Sequence, residues 1–598
     1  MHRMFYLFHL FRSFLPLHNP IGFGAADFIA LALTLVLVGL SFAKQILSRL
    51  FTEDHARRFA ERTGWCMLAL FLLPIALRLA MINVHRIPTP LGMDDFSFVL
   101  LGDTLSHFRF SNPIHPLHQF FETLFVFQHP RYASIYPMGQ GLALALGQML
   151  FGNPWAGIAL STGALCAACF WMLRGWVSPG WALLGAVFAA LQFGPLSQWM
   201  NSFWGGAVPA TAGCLVYGAL PRLQESGDPR HQRSYAIVLG AGIGIHALSR
   251  PYETVFLTLS VLLFFAPRFP KLLRAAPMIL LPLLPALGLI LLQNKSVTGS
   301  WTTLPYMLSR YEYGVPSAFT WQADPIPHHE LTPQQQLVYQ GQKDAHDDQA
   351  AMGFMGRLAS RVKFYRFFFL APLYLALPAL LLRLREYRYV WVVLTILIFA
   401  LGTNVYPYFF SHYVAAIACL FVLVIVTSLE KIGPEAASIL MFVCASHFVF
   451  WYGMHFAGNQ DFAHDMWQFE TEDVITAGDP QGRQAIRHRL ISAPGEQLVF
   501  VRYGPAHVYQ EWVYNGADID SSRVVWARDL GGDENEKLQR YYPHRTAWLL
   551  QPDVRPPLLT PYFALPASPA METIVPEPAV KDPKRPRPRL RFEDVPDE

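Results

Sequence analysis

Charge is what this sequence has least of. Only 15% of its 598 residues are charged and 53% are hydrophobic, whereas soluble domains carry about 25% charged residues. Lipid rather than water is therefore the expected solvent for most of the chain. The net charge is only +4 and the basic residues form no single patch, so we expect no nucleic-acid partner.

Cysteine is scarce as well, and none lies in a polar loop. Cys166 and Cys169 have the spacing of a metal or redox motif, but within a membrane helix this spacing is more typical of packing. We therefore expect neither a disulfide framework nor a cysteine-bound metal. The six cysteines all fall in or beside apolar runs: Cys66, Cys166, Cys169, Cys214, Cys419 and Cys444.

Other signatures are missing too. No internal repeat of fixed period is evident, which weakens a transporter built from duplicated halves. The C-terminal segment contains no nucleophile elbow, no glycine-rich phosphate loop and no metal-ligand spacing. Its acids at 518 to 520 are more typical of a turn and a helix cap.

Long apolar runs are what the sequence has in abundance. Each run can cross about 30 Å of hydrocarbon, and a series of them cannot be a signal peptide. The predicted fold is an all-α polytopic membrane bundle of about twelve transmembrane helices with a small C-terminal α/β outer domain. The predicted spans lie near 24–43, 64–83, 155–173, 180–197, 205–220, 235–249, 252–267, 275–292, 366–383, 389–404, 413–429 and 435–452.

Basic residues set the orientation, because short cytoplasmic loops are enriched in Lys and Arg. They cluster between the first two spans, after Pro221, after Pro267 and before Tyr389. With these clusters inside, the loops 84–154 and 293–365 lie outside. The apolar piece 139–151 is too short to span comfortably, so we interpret it as a re-entrant or interfacial helix. We predict a multi-pass inner (plasma) membrane protein whose C-terminal domain is periplasmic.

The C-terminal segment changes character. Short apolar runs of β type at 497–503, 523–528 and 546–550 alternate with helix candidates at 482–490 and 534–541, which predicts a mainly parallel sheet. The predicted division of the chain is an extra span and cytoplasmic loop at 1–63, a catalytic membrane module at 64–454, a soluble α/β outer domain at 455–575 and a disordered tail at 576–598.

Two adjacent acids, Asp94 and Asp95, open the first outer loop. Neighbouring carboxylates near hydrocarbon repel each other, so a compensating role is expected. A general base for an acceptor hydroxyl is one interpretation, and a divalent cation bound by carboxylate oxygens is another. A solvated pair that caps the following helix is the structural alternative.

The same loop also contains His115, His118 and the Tyr136-Pro137 pair. The prolines between the two histidines argue against a helix that would align them on a metal, and no third ligand has a recognisable spacing. A polar, aromatic loop punctuated by proline is better suited to recognising a sugar or a phosphate.

Further polar residues recur at the predicted outer ends of spans. Arg250 interrupts apolar sequence and needs an anionic partner, either Glu253, the paired aspartates or a ligand phosphate. His412 and Tyr413 open the eleventh predicted span, where an aromatic-belt anchor is the alternative. Together these residues predict one polar cavity that faces the outer side.

This order of features resembles the GT-C superfamily of membrane glycosyltransferases. The resemblance rests on Asp94-Asp95, Tyr136-Pro137, Arg250-Pro251, His412-Tyr413 and a soluble outer domain at the C-terminus. It covers residues 64 to 452 as architecture. The chain departs from the family in carrying Asp-Asp where relatives often have Asp-Glu, in its additional N-terminal span, and in lacking a second acidic motif.

The resemblance implies an inverting sugar transfer on the outer face. The donor would be a polyprenyl-phosphate sugar lipid, and the acceptor a glycan, a lipid or a protein. Asp94 would be the base, and Asp95 its neighbour or a metal ligand. Arg250 and His412 would stabilise the donor phosphate, with Tyr413, Tyr136, His115 and His118 as further substrate-binding candidates. No cofactor is certain, and dependence on a divalent cation stays open.

Two rival functions belong to other classes. A transporter or flippase would carry ionisable residues deep within its spans, but these spans are almost bare of them. A membrane-tethered binding protein would concentrate its recognition residues in the C-terminal segment. The sequence favours an enzyme that works at the membrane surface.

Overall fold

The computed structural model describes residues 23, 25–44, 58–90, 92–457, 482–505, 507 and 511–562. The predicted tail 576–598 lies outside the described residues. The helices up to residue 457 are α1 (Ala25–Lys44), α2 (Thr63–Ala80), α3 (Met93–Ser106), α4 (Met138–Phe151), α5 (Pro154–Leu173), α6 (Pro179–Gln192), α7 (Gln198–Asn201), α8 (Ala207–Glu225), α9 (Pro229–Ser249), α10 (Pro251–Phe265), α11 (Phe269–Thr298), α12 (Pro305–Tyr313), α13 (Pro333–Ala351), α14 (Gly353–Arg361), α15 (Tyr387–Gly402), α16 (Ala418–Ile432) and α17 (Pro434–Ala457).

Six helical stretches in the described part are long and apolar enough to cross a membrane. Helical structure lies at all twelve predicted spans, but the span near 366–383 consists of the end of one 3-10 segment, Val362–Phe367, and two further ones, Ala371–Leu375 and Leu377–Arg383. Pro372 and Pro378 remove backbone donors there, which interrupts an α-helix. A polytopic helical bundle is confirmed, and the number of crossings stays a prediction. The six stretches are Thr63–Ala80, Pro154–Leu173, Pro251–Thr298, Tyr387–Val405, Ser411–Ile432 and Pro434–Ala457.

The helices differ in how much of their surface the protein covers. In an apolar 18-residue window of Ser411–Ile432, 94% is buried inside the protein. In the corresponding window of Pro251–Thr298, only 17% is buried. On the latter stretch, Leu280, Leu284 and Leu291 are exposed. A continuous apolar surface of this kind suits contact with lipid. The core of the bundle therefore lies around α16, and α10 and α11 line its lipid-facing side.

Glycine allows several helices to touch through their backbones. A Cβ added at Gly213 of α8 would lie 1.8 Å from the carbonyl oxygen of Ala416, and one at Gly240 of α9 would lie 2.0 Å from that of Ile279. Small residues at such contacts are typical of helix packing within membranes. The first contact fixes the segment that precedes α16 against α8.

The short helix α4 packs along the first turns of α5. A Cβ at Gly157 would lie 1.8 Å from the carbonyl oxygen of Ala143, in the middle of α4. The other end of α4 touches the end of α9, where a Cβ at Gly139 would lie 2.1 Å from Ser249 Oγ. The helix has 14 residues, fewer than the roughly 20 that a crossing helix needs, and its re-entrant or interfacial position stays a prediction.

Basic residues from separate predicted cytoplasmic loops meet at the opposite end. Lys271 Nζ donates to the carbonyl oxygen of Gln224 at 2.6 Å, and Arg222 donates to that of Trp171 at 2.7 Å. The fold therefore brings two of the basic clusters together. This common end is what the positive-inside pattern predicts for a cytoplasmic face.

The C-terminal segment forms a small α/β unit. Its sheet has the order β4-β3-β5-β6, in which β3 pairs in parallel with β4 and β5. Every residue of β3 is buried, as expected for the central strand of a covered parallel sheet. The mainly parallel sheet is confirmed, although β6, which pairs antiparallel with β5, was not predicted. The elements are α18 (Arg483–Ser492), β3 (Gln497–Val501), β4 (Val524–Arg528), α19 (Gly532–Tyr541), β5 (Thr546–Gln551) and β6 (Leu558–Pro561).

This unit packs directly on the first outer loop. That loop contains α3 and a two-stranded antiparallel sheet of β1 (Val126–Phe127) and β2 (Ala133–Ser134). Leu100 and Phe120 of the loop share one hydrophobic cluster with Phe500 and Val525 of the unit. Burial of such side chains stabilises the contact by about 1.5–3 kcal/mol each. The α/β unit is therefore docked on the helix that begins with the paired aspartates.

Candidate active site

The two adjacent aspartates lie in the first turn of α3 and point in different directions. Consecutive side chains on an α-helix are about 100° apart around its axis. Asp95 is buried, and its Oδ1 accepts a hydrogen bond from the backbone N–H of Phe203 at 2.8 Å. Asp94 is partly buried and accepts from the hydroxyl of Tyr136. Asp95 thus holds α3 against the turn before α8, while Asp94 faces Tyr136.

Tyr136 holds Asp94 from the start of α4. Its ring stacks on Phe98 at 4.1 Å between centroids, and its carbonyl oxygen accepts from Gln293 Nε2 at 2.9 Å. The hydroxyl therefore has a fixed position. Burial raises the pKa of Asp94, while the hydrogen bond from Tyr136 and the charge of Arg250 oppose that rise. A carboxyl group with a raised pKa is better matched to proton transfer near neutral pH than a solvated aspartate is.

Arg250 lies at the junction between α9 and α10. Proline at 251 disfavours a helical conformation at the preceding residue, and Arg250 has φ −141° and ψ 75°. Its guanidinium carbon lies 5.1 Å from the centre of the Tyr413 ring. In the described part of the chain, the guanidinium forms no ion pair within 4.0 Å. The contact between Gly139 and Ser249 places Arg250 near the N-terminal end of α4, which Tyr136 precedes.

Glu253 is the nearest candidate counterion on the same helix, but the structure does not pair it with Arg250. Glu253 is 2% exposed, and its Oε1 has no hydrogen-bond partner within the described residues. The predicted structural pairing is therefore absent from this part of the chain. A buried, unbonded carboxylate oxygen costs free energy, so Glu253 adds polarity to the same group.

His412 and Tyr413 lie in the 3-10 segment Ser411–Ile417 that leads into α16. His412 stacks on Phe410 at 5.5 Å and meets Trp204 edge-on at 5.2 Å. Tyr413 stacks on Tyr406 at 4.6 Å. The structure thus gathers Asp94, Tyr136, Arg250, His412 and Tyr413 around one polar and aromatic group at an end of the bundle.

The two histidines predicted to bind substrate lie elsewhere. His115 Nε2 is 3.1 Å from the hydroxyl of Tyr542 and 3.3 Å from Asp520 Oδ1, both in the α/β unit. His118 is in a separate polar group with His129 and His329. The structure therefore connects His115 with the contact between the outer loop and the α/β unit.

Two residues of the α/β unit reach α3 and were not among the predicted site residues. Tyr514 stacks on Phe96 at 4.4 Å and donates to the carbonyl oxygen of Leu124 at 2.6 Å. The guanidinium of Arg483 lies 4.2 Å from the centre of the Phe96 ring. Both contacts brace the turn that carries Asp94. No local sequence pattern marks them, because the partners are about 400 residues apart.

A metal ion was predicted as one possible role for Asp95. One oxygen of Asp95 already accepts from a backbone donor, and the described residues contain no group of three ligand atoms around the aspartate pair. The group that they do contain is Asp324, His346 and Asp347. It belongs to the segment between α12 and α14.

Comparison with solved structures finds similarity to ArnT and to the archaeal oligosaccharyltransferase AglB. ArnT from Cupriavidus metallidurans bound to undecaprenyl phosphate is 11% identical, with 82% of this chain and 93% of that chain covered and a TM-score of 0.46. Its apo state is 12% identical over the same shares, with a TM-score of 0.45. AglB, an oligosaccharyltransferase from Archaeoglobus fulgidus in complex with an inhibitory peptide and a dolichol-phosphate, is 11% identical, with 82% and 69% covered and a TM-score of 0.41.

No family model and no curated protein matches the sequence. The similarity to these solved structures covers 82% of the chain. A likeness at such low identities and TM-scores says nothing about the activity of this chain.

Proposed function

We propose that this protein is a membrane glycosyltransferase that moves a sugar from a polyprenyl-phosphate donor to a hydroxyl acceptor on the outer side of the membrane. The observation that carries the proposal is the pair formed by Asp94, which is partly buried and hydrogen-bonded to Tyr136, and the neighbouring Arg250, which has no ion pair within the described residues. One group can take up a proton, and the other can bind an anion.

In this reaction Asp94 accepts the proton of the acceptor hydroxyl. The hydroxyl oxygen attacks the anomeric carbon from the side opposite the leaving group, so the configuration inverts. The bond between the anomeric carbon and the phosphate oxygen breaks, and its electron pair leaves with the lipid phosphate. Positive charge near the departing oxygen stabilises the transition state, which is the role we assign to Arg250.

His412 and Tyr413 complete the proposed site. His412 packs between Phe410 and Trp204, and rings of this kind suit the apolar face of a sugar. Tyr413 lies under the guanidinium of Arg250, which favours one orientation of that cation. We assign donor binding to these residues, with Asp95 as the group that positions α3.

A polyprenyl phosphate is the ligand named for one ArnT structure, and a dolichol-phosphate is named for the AglB complex. The geometry of Arg250, rather than that likeness, is our reason for assigning such a donor here. The site lies at an end of a bundle with lipid-facing apolar sides, where the phosphate of a lipid can reach protein while its chain stays in the bilayer.

The position of charges disfavours the transporter alternative. Most ionisable residues of the candidate spans lie near helix ends. Arg78 lies in the last turn of α2, Glu253 in the first turn of α10 and Lys295 in the last turn of α11. Arg268 and Lys271 lie at the junction of α10 and α11, and His447, near the middle of α17, is an exception. A transporter is expected to carry such groups near the middle of the bilayer. End positions suit chemistry at the membrane surface.

The test compares Asp94→Asn with the unaltered protein in detergent. Synthetic polyprenyl-phosphate sugars are supplied with a membrane extract as the source of acceptors, and release of free polyprenyl phosphate is measured. Loss of a general base lowers the rate by about 10²–10⁴-fold. Undecaprenyl phosphate should still bind to the variant, because its phosphate contacts are intact.

Asp533→Asn is the matched control, since Asp533 is also in the first turn of a helix but is exposed. It should release polyprenyl phosphate at the normal rate. Full activity of Asp94→Asn would contradict the assigned role. No release from any polyprenyl-phosphate sugar by the unaltered protein would contradict the proposed reaction.

A further inference from the structure

Three polar side chains lie close together in the segment between α12 and α14. Asp324 lies in the loop before α13, and His346 and Asp347 lie on α13 itself. His346 Nδ1 is 2.8 Å from Asp324 Oδ1 and 3.5 Å from Asp347 Oδ1. Only 6% of the His346 side chain is exposed. This group, which we call the Asp324 cluster, is separate from the site around Asp94.

The ring of His346 is oriented by a backbone carbonyl. His346 Nε2 lies 3.2 Å from the carbonyl oxygen of Phe319, and a carbonyl oxygen can only accept a hydrogen bond. In the neutral form of the ring, which is the form that binds a metal ion, the proton is therefore on Nε2 and Nδ1 presents a lone pair. Such a hydrogen bond on the far nitrogen is also what orients histidines that ligate metals.

Lone pairs consequently face one another within the cluster. His346 Nδ1 and Asp324 Oδ1 are buried, and neither has a hydrogen-bond partner within the described residues, although the two atoms are 2.8 Å apart. Their directions thus do not suit an N–H···O bond. Three acceptors this close repel one another unless a cation lies between them.

Lys343 does not fill that position. Its Nζ lies 2.9 Å from Asp324 Oδ2 and 3.2 Å from Asp347 Oδ2, whereas the Oδ1 atoms are the ones paired with His346. The ammonium group therefore holds one oxygen of each carboxylate and leaves the other oxygen turned toward the imidazole. Partners of this kind fix metal ligands in position.

We propose that His346 Nδ1, Asp324 Oδ1 and Asp347 Oδ1 bind one divalent transition-metal ion, with Zn²⁺ as the best fit. All three ligand atoms lie within 4.8 Å of one another. Ligands about 2.0–2.2 Å from a common Zn²⁺ are themselves about 3–3.5 Å apart, close to the observed separations. An imidazole nitrogen favours Zn²⁺ over Mg²⁺ or Ca²⁺. Asp347 is 57% exposed, which leaves a position open to water.

The ion would order the segment that adjoins the candidate active site. Phe319, whose carbonyl orients His346, packs against Tyr252 at 4.8 Å and Tyr406 at 5.5 Å. The next residue, Thr320, donates its backbone N–H to the carbonyl oxygen of Val405 at 2.9 Å. A cation that joins Asp324 to α13 holds this segment against residues next to Arg250. Its role is therefore structural.

The test measures metal binding and needs no enzyme assay. Full-length protein without an affinity tag is stripped with EDTA in detergent and titrated with Zn²⁺ alone by calorimetry. We expect tight binding of one equivalent, and at least tenfold weaker binding in His346→Gln and in Asp347→Asn. The Asp347 variant replaces an exposed side chain, so it tests the cluster even where the buried His346 variant folds poorly.

Asp348→Asn is the control, because it removes a neighbouring acid on α13 that is not a ligand in the proposed site. It should bind Zn²⁺ as the unaltered protein does. Zn²⁺ should also raise the thermal midpoint of the unaltered protein and of this control, but not that of Asp347→Asn. The proposal is overturned if the unaltered protein binds no Zn²⁺, or if both ligand variants bind it with unchanged affinity.

Discussion

The Asp94 site and the Asp324 cluster both contain neighbouring carboxylates, but their hydrogen bonding differs. At the first, each aspartate has a donor of its own, the hydroxyl of Tyr136 for Asp94 and the N–H of Phe203 for Asp95. At the second, one oxygen of Asp324 and one of Asp347 accept from Lys343, and the other oxygen of each lies beside Nδ1 of His346. The pattern of donors and acceptors, rather than the number of acids, thus indicates which group requires a cation.

The cations differ in the same way. Arg250 beside the Asp94 site has no ion pair within the described residues, whereas Lys343 contacts two carboxylates of the Asp324 cluster. A guanidinium without a partner suits an anionic ligand. We therefore assign an anion, the donor phosphate, to the first region and a metal ion to the second.

Replacing Arg250 with Met gives the largest expected effect that separates the two regions. A charge-assisted hydrogen bond contributes about 1.5–3 kcal/mol, so undecaprenyl phosphate should bind about 10- to 100-fold more weakly. Calorimetry of Zn²⁺ binding should be unchanged, because the cluster does not contact Arg250. Equal loss of both ligands would mean that the two regions act as one site, and unchanged lipid binding would remove Arg250 from the donor site.

Replacing Gly139 with Ala tests how α4 and α9 bring Tyr136 and Arg250 together. The new Cβ would lie 2.1 Å from Ser249 Oγ and 2.9 Å from Ser249 Cα, so the two backbones must separate. Overpacking of this kind costs about 1–3 kcal/mol. We expect about tenfold lower turnover, measured as release of polyprenyl phosphate.

Gly288→Ala on α11 is the control for the Gly139 variant, because nothing lies within 4 Å of the added Cβ there. Its turnover should match that of the unaltered protein. Equal turnover in both variants would show that the contact between α4 and α9 does not position the site.

Replacing Tyr136 with Phe should have the smallest effect on rate and a distinct effect on pH dependence. The Tyr136 hydroxyl lowers the pKa of Asp94 against the effect of burial, so its removal raises that pKa further. A general base must be deprotonated to act, and the acidic limb of the pH–rate profile should therefore move to higher pH. The maximal rate should fall by about tenfold, which corresponds to the lower end of the contribution of a hydrogen bond to a carboxylate, about 1.5 kcal/mol. A limb that stays in place would separate Asp94 from the titrating group.

Several elements could be predicted from the sequence because their signals are local. The apolar runs, the helix that opens at the paired aspartates, the break at Arg250-Pro251 and the strands of the α/β unit follow from composition, proline geometry and periodicity. The 3-10 structure near 366–383 has a local cause as well, since Pro372 and Pro378 remove backbone donors there.

The rest of the candidate site could not be predicted, because it depends on contacts between distant parts of the chain. Asp94 and Asp95 are identical in sequence terms, and only the positions of Tyr136 and Phe203 give them different partners. Tyr514 and Arg483 approach α3 only once the α/β unit has docked. Asp324 and His346 are separated by a loop and more than three turns of helix, so no ligand spacing connected them.

The sequence by itself determined that lipid surrounds most of this protein and that polar side chains collect at the ends of its helices. Both properties depend on the composition of short stretches, because the free energy of transferring a helix from water to lipid is set by the residues of that helix. Tertiary structure decided which oxygen meets a donor and which meets another lone pair. A hydrogen bond depends on distances of about 3 Å and on direction, and only packing of helices far apart in the chain sets these at Asp94 and at His346.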